Sequence, residues 1–409
     1  MSEPLAAALQ RALVDTLKKQ RVIRSASVEA AFRAVPRHLF LPHTPLEQVY
    51  ADDVVITKTF GAVPISSSSQ PSMMAIMLEQ AAFKPGQRVL EIGAGTGYNS
   101  ALIAQLVGAQ GQVTAVDIDD DIVTAAAAAI RMAGYADRVK VRQFDGWKGY
   151  PPDEPYDRVL LSVGARDISP PWFAQLIEGG RLILPIEVWA GVQYAVAFVK
   201  QGDHLVSLSA HPCGFMPLRG ESADYAGESV SLADESVHIT QLIHHHPPAL
   251  TLDALHALTS TPPMERSTGI EAHAFALQNS GFGLWLASQA DDFISIHARK
   301  PSPVPTLFDH REAVQAMGLA AVNGLALLMA DPRQPPDASK IRLWIRYWGD
   351  DTPARRLLGA LRTWSKAGQP DARHLRIAAY PPHAAAALNL PPKRIRLEKR
   401  FFTYVLHWE

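Results

Sequence analysis

The residues of this chain best suited to hold a ligand lie together in Val89-Leu90-Glu91-Ile92-Gly93-Ala94-Gly95-Thr96-Gly97-Tyr98. Glycines at alternate positions permit a tight turn and let a ligand approach the backbone closely. Such a loop between an apolar strand and a helix suits two cofactor classes. A dinucleotide fold uses G-x-G-x-x-G and sets a pyrophosphate on the helix N-terminus. Here the third glycine comes one residue early, and Tyr98 stands where it belongs. Charge separates the classes further. Glu91, two residues before the first glycine, would repel a pyrophosphate but attracts an ammonium or a sulfonium. Asp117 closes the next apolar run, Thr114-Ala115-Val116-Asp117-Ile118, where an acid accepts ribose hydroxyls. Asp145-Gly146 closes the third, a position facing an adenine. Singly, each acid is more often a cap or a solvated turn residue. Three of them at three consecutive strand ends, with the glycine loop, make a site for S-adenosylmethionine. Its candidate contacts are Glu91, Gly93, Gly95, Gly97, Asp117, Ile118, Asp145 and Gly146. A phosphate-binding Walker loop is excluded, because no Gly-Lys-Ser/Thr follows.

Positioning these residues requires a doubly wound frame. Strands are expected over 88–92, 112–118, 139–144, 156–163 and 181–185, with helices over 72–82, 98–107, 122–133 and 171–177 between them. Strands alternating with helices mean a parallel sheet covered on both faces, and near-continuous apolar strands agree with that burial. Ahead of this frame, Leu5, Leu9, Leu13 and Leu17 recur every four residues among charged ones, an amphipathic helix rather than a signal peptide. A second helix, 27–34, ends before Pro36. With 409 residues, two domains are expected. The texture changes past Gly220, dividing the chain into a methyltransferase domain at 1–225 and an accessory α+β domain at 226–409. In the second part, strands are expected at 283–287, 293–297, 341–348, 374–379 and 394–407, with a helix at 351–366.

Composition narrows the class. A formal net charge of −1 gives no argument for nucleic acid or an anionic membrane, and no apolar run is long enough to span a bilayer. A cytoplasmic protein is the expectation. The single cysteine, Cys213, excludes an internal disulfide and reads as a small buried hydrophobe. His244, His245 and His246 precede Pro247-Pro248 with no carboxylate or thiol at ligand spacing, so a solvated loop is expected there and no metal site.

The ordered set Pro36-Arg37-His38-Leu39-Phe40, Ser69-Gln70-Pro71, the glycine loop, Asp145-Gly146, Pro155-Tyr156-Asp157, the run from Gln175 to Pro185, and Phe215-Met216-Pro217-Leu218 resembles the protein-L-isoaspartate O-methyltransferase family from about Asp15 to Gly220. The resemblance implies a class I methyltransferase fold and methyl transfer from S-adenosylmethionine to an aspartyl or isoaspartyl carboxylate of a peptide. It also places Ser69 at the acceptor carboxylate as the catalytic candidate, flanked by Ser68 and Gln70, with Arg166 nearby as a substrate contact. Arg37-His38 receives no catalytic weight. Such chemistry needs no general base, because a carboxylate is already ionised at neutral pH.

Two segments depart from the family pattern. Gly164-Ala165-Arg166-Asp167-Ile168 replaces an Ala-Ala-Pro-like turn, and Asp52 to Pro64 lacks the usual Pro-Ile-Gly-rich stretch. The added C-terminal half resembles longer relatives in clusters that make lanthipeptide, graspetide or lasso peptides, where an aspartate is methylated and cyclises to aspartimide. A constrained precursor peptide is thus the expected partner. Arg342, Trp344, Arg346, Tyr347, Trp348 and the tail Lys393 to Trp408 are candidate contacts, with core packing the commoner use of such residues. The alternatives are a general isoaspartyl repair enzyme with an appended domain, and a non-catalytic scaffold. Oligomeric state is not legible in the sequence.

Overall fold

The computed structural model describes residues 2–409 except 62, 190–191, 222–228, 234–236, 243–250, 274–276, 278–280, 291, 300–307, 310–312, 332, 335–339 and 390–393. The histidine run therefore lies outside the described residues. Helices α1 (Ser2–Lys19) and α2 (Ala26–Ala34) open the chain. A short helical turn, α3 (Leu46–Val49), leads into a hairpin of β1 (Val55–Phe60) and β2 (Val63–Ser68). The polar serine segment is thus strand as far as Ser68. Next come α4 (Pro71–Ala81), β3 (Arg88–Ile92), α5 (Tyr98–Val107), β4 (Gln112–Asp117), α6 (Asp120–Met132), β5 (Val139–Gln143), β6 (Tyr156–Leu161) and α7 (Pro170–Gln175). Three long strands follow: β7 (Leu176–Trp189), β8 (Val192–Gln201) and β9 (His204–Cys213).

Strands β7, β6, β3, β4 and β5 lie side by side in that order, all parallel, as the alternating pattern predicts. Strand β3 has β4 on one side and β6 on the other, so the winding reverses there. Open α/β sheets bind ligands at such a switch point, outside the carboxyl ends of the strands. One face is sealed by α1, α2, α4, α5 and α6 through residues such as Leu17, Phe32, Leu78, Leu102 and Ile130.

The second half builds an antiparallel sheet from β10 (Ser229–Ala233), β11 (Val237–Leu242), β12 (Met264–Ala272), β13 (Phe293–Arg299), β14 (Phe308–Asp309), β15 (Ala313–Ala321), β16 (Gly324–Ala330) and β17 (Ile341–Gly349). The run Gly283 to Ala287, expected as a strand, is a helix (Phe282–Ala287) with every side chain buried. A short, wholly apolar stretch carries no period to separate the two forms. The helix Thr352–Lys366 matches its pattern. The tail differs more. Strands β18 (Leu375–Tyr380), β19 (Ile395–Glu398) and β20 (Thr403–Trp408) join the first sheet, making the order β19-β20-β18-β9-β8-β7-β6-β3-β4-β5. The sheets therefore do not divide at residue 225. The antiparallel edge of β9 would otherwise expose unpaired backbone groups, and β18 covers it. One apolar cluster runs from Leu184 and Tyr404 through Trp364 to Ile345, joining the two sheets.

Candidate active site

At the carboxyl end of β3 a cavity of about 300 Å³ opens beside the glycine loop. Its walls come from Ser66 to Gln70, Gly93 to Thr96, Asn99, Asp117-Ile118, Phe144, Gly146, Ser162-Val163 and Pro212 to Arg219. The loop requires its glycines: Gly93 sits at φ +92° and Gly95 at +51°, and a Cβ on Gly93 would meet Val163 at 2.9 Å. Gly93, Gly95, Asp117, Ile118 and Gly146 all line the cavity. Asp117 is oriented from below, accepting the Gly95 N–H at 3.0 Å and the Ile118 N–H at 2.9 Å. Those bonds leave carboxylate lone pairs available to hydroxyl donors. Burial holds its pKa above the ordinary carboxylate value.

The remaining cofactor candidates stand back from the wall. Glu91 is fully buried and accepts hydrogen bonds from Asn99 (2.7 Å), Ser100 and Ser162 (3.4 Å). Desolvation pushes its pKa up to about 7 against these bonds. It reaches the cavity only through Asn99 and Ser162. Gly97 caps α5, where a Cβ would press on Ile130 and Ala126 of α6, so close helix packing explains it. Asp145 is spent on the backbone, accepting N–H groups from Trp147 and Glu221 at 3.0 Å each.

On the opposite wall, the serines of β2 and the one that follows it alternate in burial. Ser66 and Ser68 are buried: Ser66 accepts from Thr57 at 3.2 Å, and Ser68 accepts from Arg37 at 3.2 Å. Ser67 and Ser69 are half-buried, also line the cavity, and their hydroxyls have no hydrogen-bond partner among the described residues. Gln70, also on the wall, donates to the Asp52 carbonyl at 3.0 Å. Arg166 is not brought to the cavity; it lies half exposed with its guanidinium 3.9 Å from Glu187.

Sequence reasoning underused Arg37. It is completely buried, donating to the carbonyls of Val49 (2.9 Å) and Ser69 (3.0 Å) as well as to the Ser68 hydroxyl. A buried cation without a carboxylate partner is costly unless it is densely hydrogen-bonded, and here it fixes the serine segment from behind. The one available signal was an arginine beside Leu39 and Phe40 in the Pro-Arg-His-Leu-Phe turn. The segment after β9 was also missed as a wall. Gly164 holds it, donating to Met216 (2.7 Å) and accepting from Leu218 (2.8 Å). Asp119 binds both Lys58 (2.9 Å) and Arg219 (2.8 Å), linking the hairpin, α6 and this segment across the mouth. Burial pushes the Cys213 thiol up to about 12, so it is no nucleophile at neutral pH.

The switch-point cavity, the left-handed glycine loop and the acid at the end of β4 define a class I methyltransferase. A profile of the family described as protein-L-isoaspartate(D-aspartate) O-methyltransferase matches residues 8–223. The chain belongs to this family, whose members are carboxyl O-methyltransferases that use S-adenosylmethionine. A protein-L-isoaspartate O-methyltransferase of Thermococcus onnurineus is 39% identical over 212 residues, 51% of this chain and 92% of that protein. One from Thermotoga maritima is 39% identical over 192 residues, 46% of this chain and 59% of that protein. A solved protein-L-isoaspartate O-methyltransferase matches 90% of this chain and 96% of its own, with 26% identity and a TM-score of 0.51. Among the described residues, no helix is long and apolar enough to cross a membrane.

Proposed function

We propose that this chain methylates an aspartyl or isoaspartyl carboxylate within a modified, constrained precursor peptide, and that the ester then closes to an aspartimide. One observation carries the reading: the cavity has opposite polarity at its two walls. Carboxylates stand at the glycine loop, with Asp117 lining it and Glu91 behind it. The buried Arg37 cation backs the serine wall. A cationic methyl donor is favoured at the first wall and an anionic acceptor at the second.

S-adenosylmethionine, when bound, supplies an activated methyl. The residues fit it: Gly93 and Gly95 admit its close approach, Asp117 accepts its ribose hydroxyls, and Phe144 and Gly146 border the adenine. Ser69 donates a hydrogen bond that orients the acceptor carboxylate, and Arg37 holds Ser69 in place. Phe215 to Leu218 exclude water from the reacting atoms. The acceptor oxygen forms a bond to the methyl carbon as the sulfur–carbon bond breaks, leaving S-adenosylhomocysteine, and no proton moves. Positioning alone supplies several kcal/mol of such a barrier. In the ester, the backbone nitrogen of the next residue attacks the esterified carbonyl, loses its proton and expels methanol.

A restricted peptide substrate is supported by the departure from the family pattern at Asp52 to Pro64. The hairpin before the serine wall carries exposed apolar side chains at Ile56, Phe60 and Val63, a contact surface for polypeptide. The test is mass spectrometry of the purified chain with S-adenosylmethionine and either a short linear isoaspartyl peptide or candidate modified precursors. Gain of one methyl followed by methanol loss, on a constrained precursor only, is expected. Robust methylation of the linear peptide would make it a general repair enzyme and remove the precursor from the reading.

A further inference from the structure

The loop after β6 and the C-terminal hairpin are five strands apart in the sheet order, so no backbone ladder joins them. They are joined by side chains. Asp167 is buried (5% exposed) and its carboxylate accepts the Ile168 N–H at 2.7 Å, the Tyr404 hydroxyl at 2.8 Å and the Phe401 N–H at 2.7 Å. Lys399 donates to the carbonyls of Arg166 (2.7 Å) and Glu187. From this knot two short paths reach the cavity. Backwards along the loop lie Ser162 and Val163, both on the wall. Across the core, the Phe401 ring lies 5.4 Å from Trp147. Ser169 donates to the Trp147 carbonyl at 2.5 Å, and the Trp172 indole donates to the Gly146 carbonyl at 2.7 Å, beneath the wall made by Phe144 and Gly146.

We propose that the hairpin β19–β20 is part of the scaffold of the cofactor site, with Asp167 the positioning residue that couples it to the cavity wall. The inference rests on the reading that this cavity takes S-adenosylmethionine. A carboxylate buried so deeply is tolerated only while its donors are present. Two of its three donors come from the tail, so the loop keeps its path only while the hairpin is docked. This also accounts for the Arg166-Asp167 departure: the acid serves the C-terminal half.

The test uses the full chain carrying Asp167→Asn, Tyr404→Phe, both together, or the milder Phe401→Leu. Calorimetry gives the Kd for S-adenosylhomocysteine and thermal melting gives Tm. Each single change is expected to weaken binding by about 10-fold, and the double variant to be no weaker than Asp167→Asn alone, because partners in one network are not additive. Arg376→Ala on β18, which removes the surface pair with Glu409 and the bonds to the Arg373 and Leu375 carbonyls but no contact of Asp167, should leave Kd unchanged. Variants that bind as tightly as wild type, whatever their Tm, would overturn the coupling. A wild-type chain that fails to bind S-adenosylhomocysteine would instead overturn the cavity reading, and this inference with it.

Discussion

The glycine-loop cavity and the face of β17 look alike in composition terms, since both gather charged, polar and aromatic residues, yet the structure treats them oppositely. Around β17 each group is spoken for. Arg346 pairs with Glu265 at 2.5 Å, Arg342 lies 3.6 Å from Asp331, and Arg333 sits 4.6 Å over Trp344. Tyr347 and Trp348 are buried. At the cavity, the hydroxyls of Ser67 and Ser69 have no hydrogen-bond partner among the described residues, and Asp117 keeps lone pairs unused by its backbone donors. Buried polar groups are almost always satisfied, so capacity held in reserve marks a ligand site better than richness in arginine and tryptophan does. Of the candidate peptide contacts on β17, Tyr347 and Trp348 pack their own sheet, the commoner use of such residues.

The largest effect that would break this contrast is on stability. Trp348 packs against Leu255, Ile296 and Leu327, and its indole donates to the Thr261 carbonyl at 3.1 Å. Trp348→Ala should cost about 3–5 kcal/mol in chemical denaturation while leaving S-adenosylhomocysteine affinity unchanged. Lost affinity in a variant of normal stability would mean that this face does bind ligand. Asp117→Ala should behave in reverse, with affinity down about 100-fold, or ~2.7 kcal/mol, and little change in melting. Unaltered binding would remove Asp117 from the site.

Much of the first region was legible because its signals are local. The parallel strands announce themselves as apolar runs, and Gly93, Gly95 and Asp117 sit where a strand ends. Glu91, Gly97 and Asp145 were harder to place. Sequence gives their position around the strand ends and the glycine loop but not what packs on or bonds to them, which is Asn99 for Glu91, α6 for Gly97 and the Glu221 N–H for Asp145. The return of 375–408 to the first sheet was invisible. Pairing between residues as distant as Ala378 and Val206 leaves no periodic mark in either segment. Asp167 was noticed as a departure, but its meaning needed Tyr404.

A finer cut lies within one short segment, β2 and the residue that follows it. If alternation alone divides the serines, Ser69→Ala should lower kcat/KM for the acceptor about 10-fold, ~1.4 kcal/mol, with cofactor affinity intact. Ser66→Ala should instead cost about 1 kcal/mol of stability through the bond to Thr57 and leave catalysis alone. Equal kinetic loss from both would show that the segment acts as a unit.

The smallest effect sets one acid of each region against the other. Asp331 is held below the usual carboxylate range by the Arg333 N–H and guanidinium and by Arg342. Glu91 has no such cation, and burial lifts it to about 7. With its folded pKa above the unfolded value of 4.5, Glu91 contributes stability that is complete below pH 4.5 and lost as pH rises through about 7. Glu91→Gln should flatten that slope. A cation bound in the cavity favours the ionised form, so S-adenosylmethionine binding near pH 7 should release a fraction of a proton. S-adenosylhomocysteine, which lacks the sulfonium, should release less. Calorimetry in buffers of different ionisation enthalpy reads this directly. Buffer-independent heats for wild type, or heats that stay buffer-dependent in Glu91→Gln, would show that Glu91 does not sense the ligand and that Asp117 alone carries the polarity of that wall.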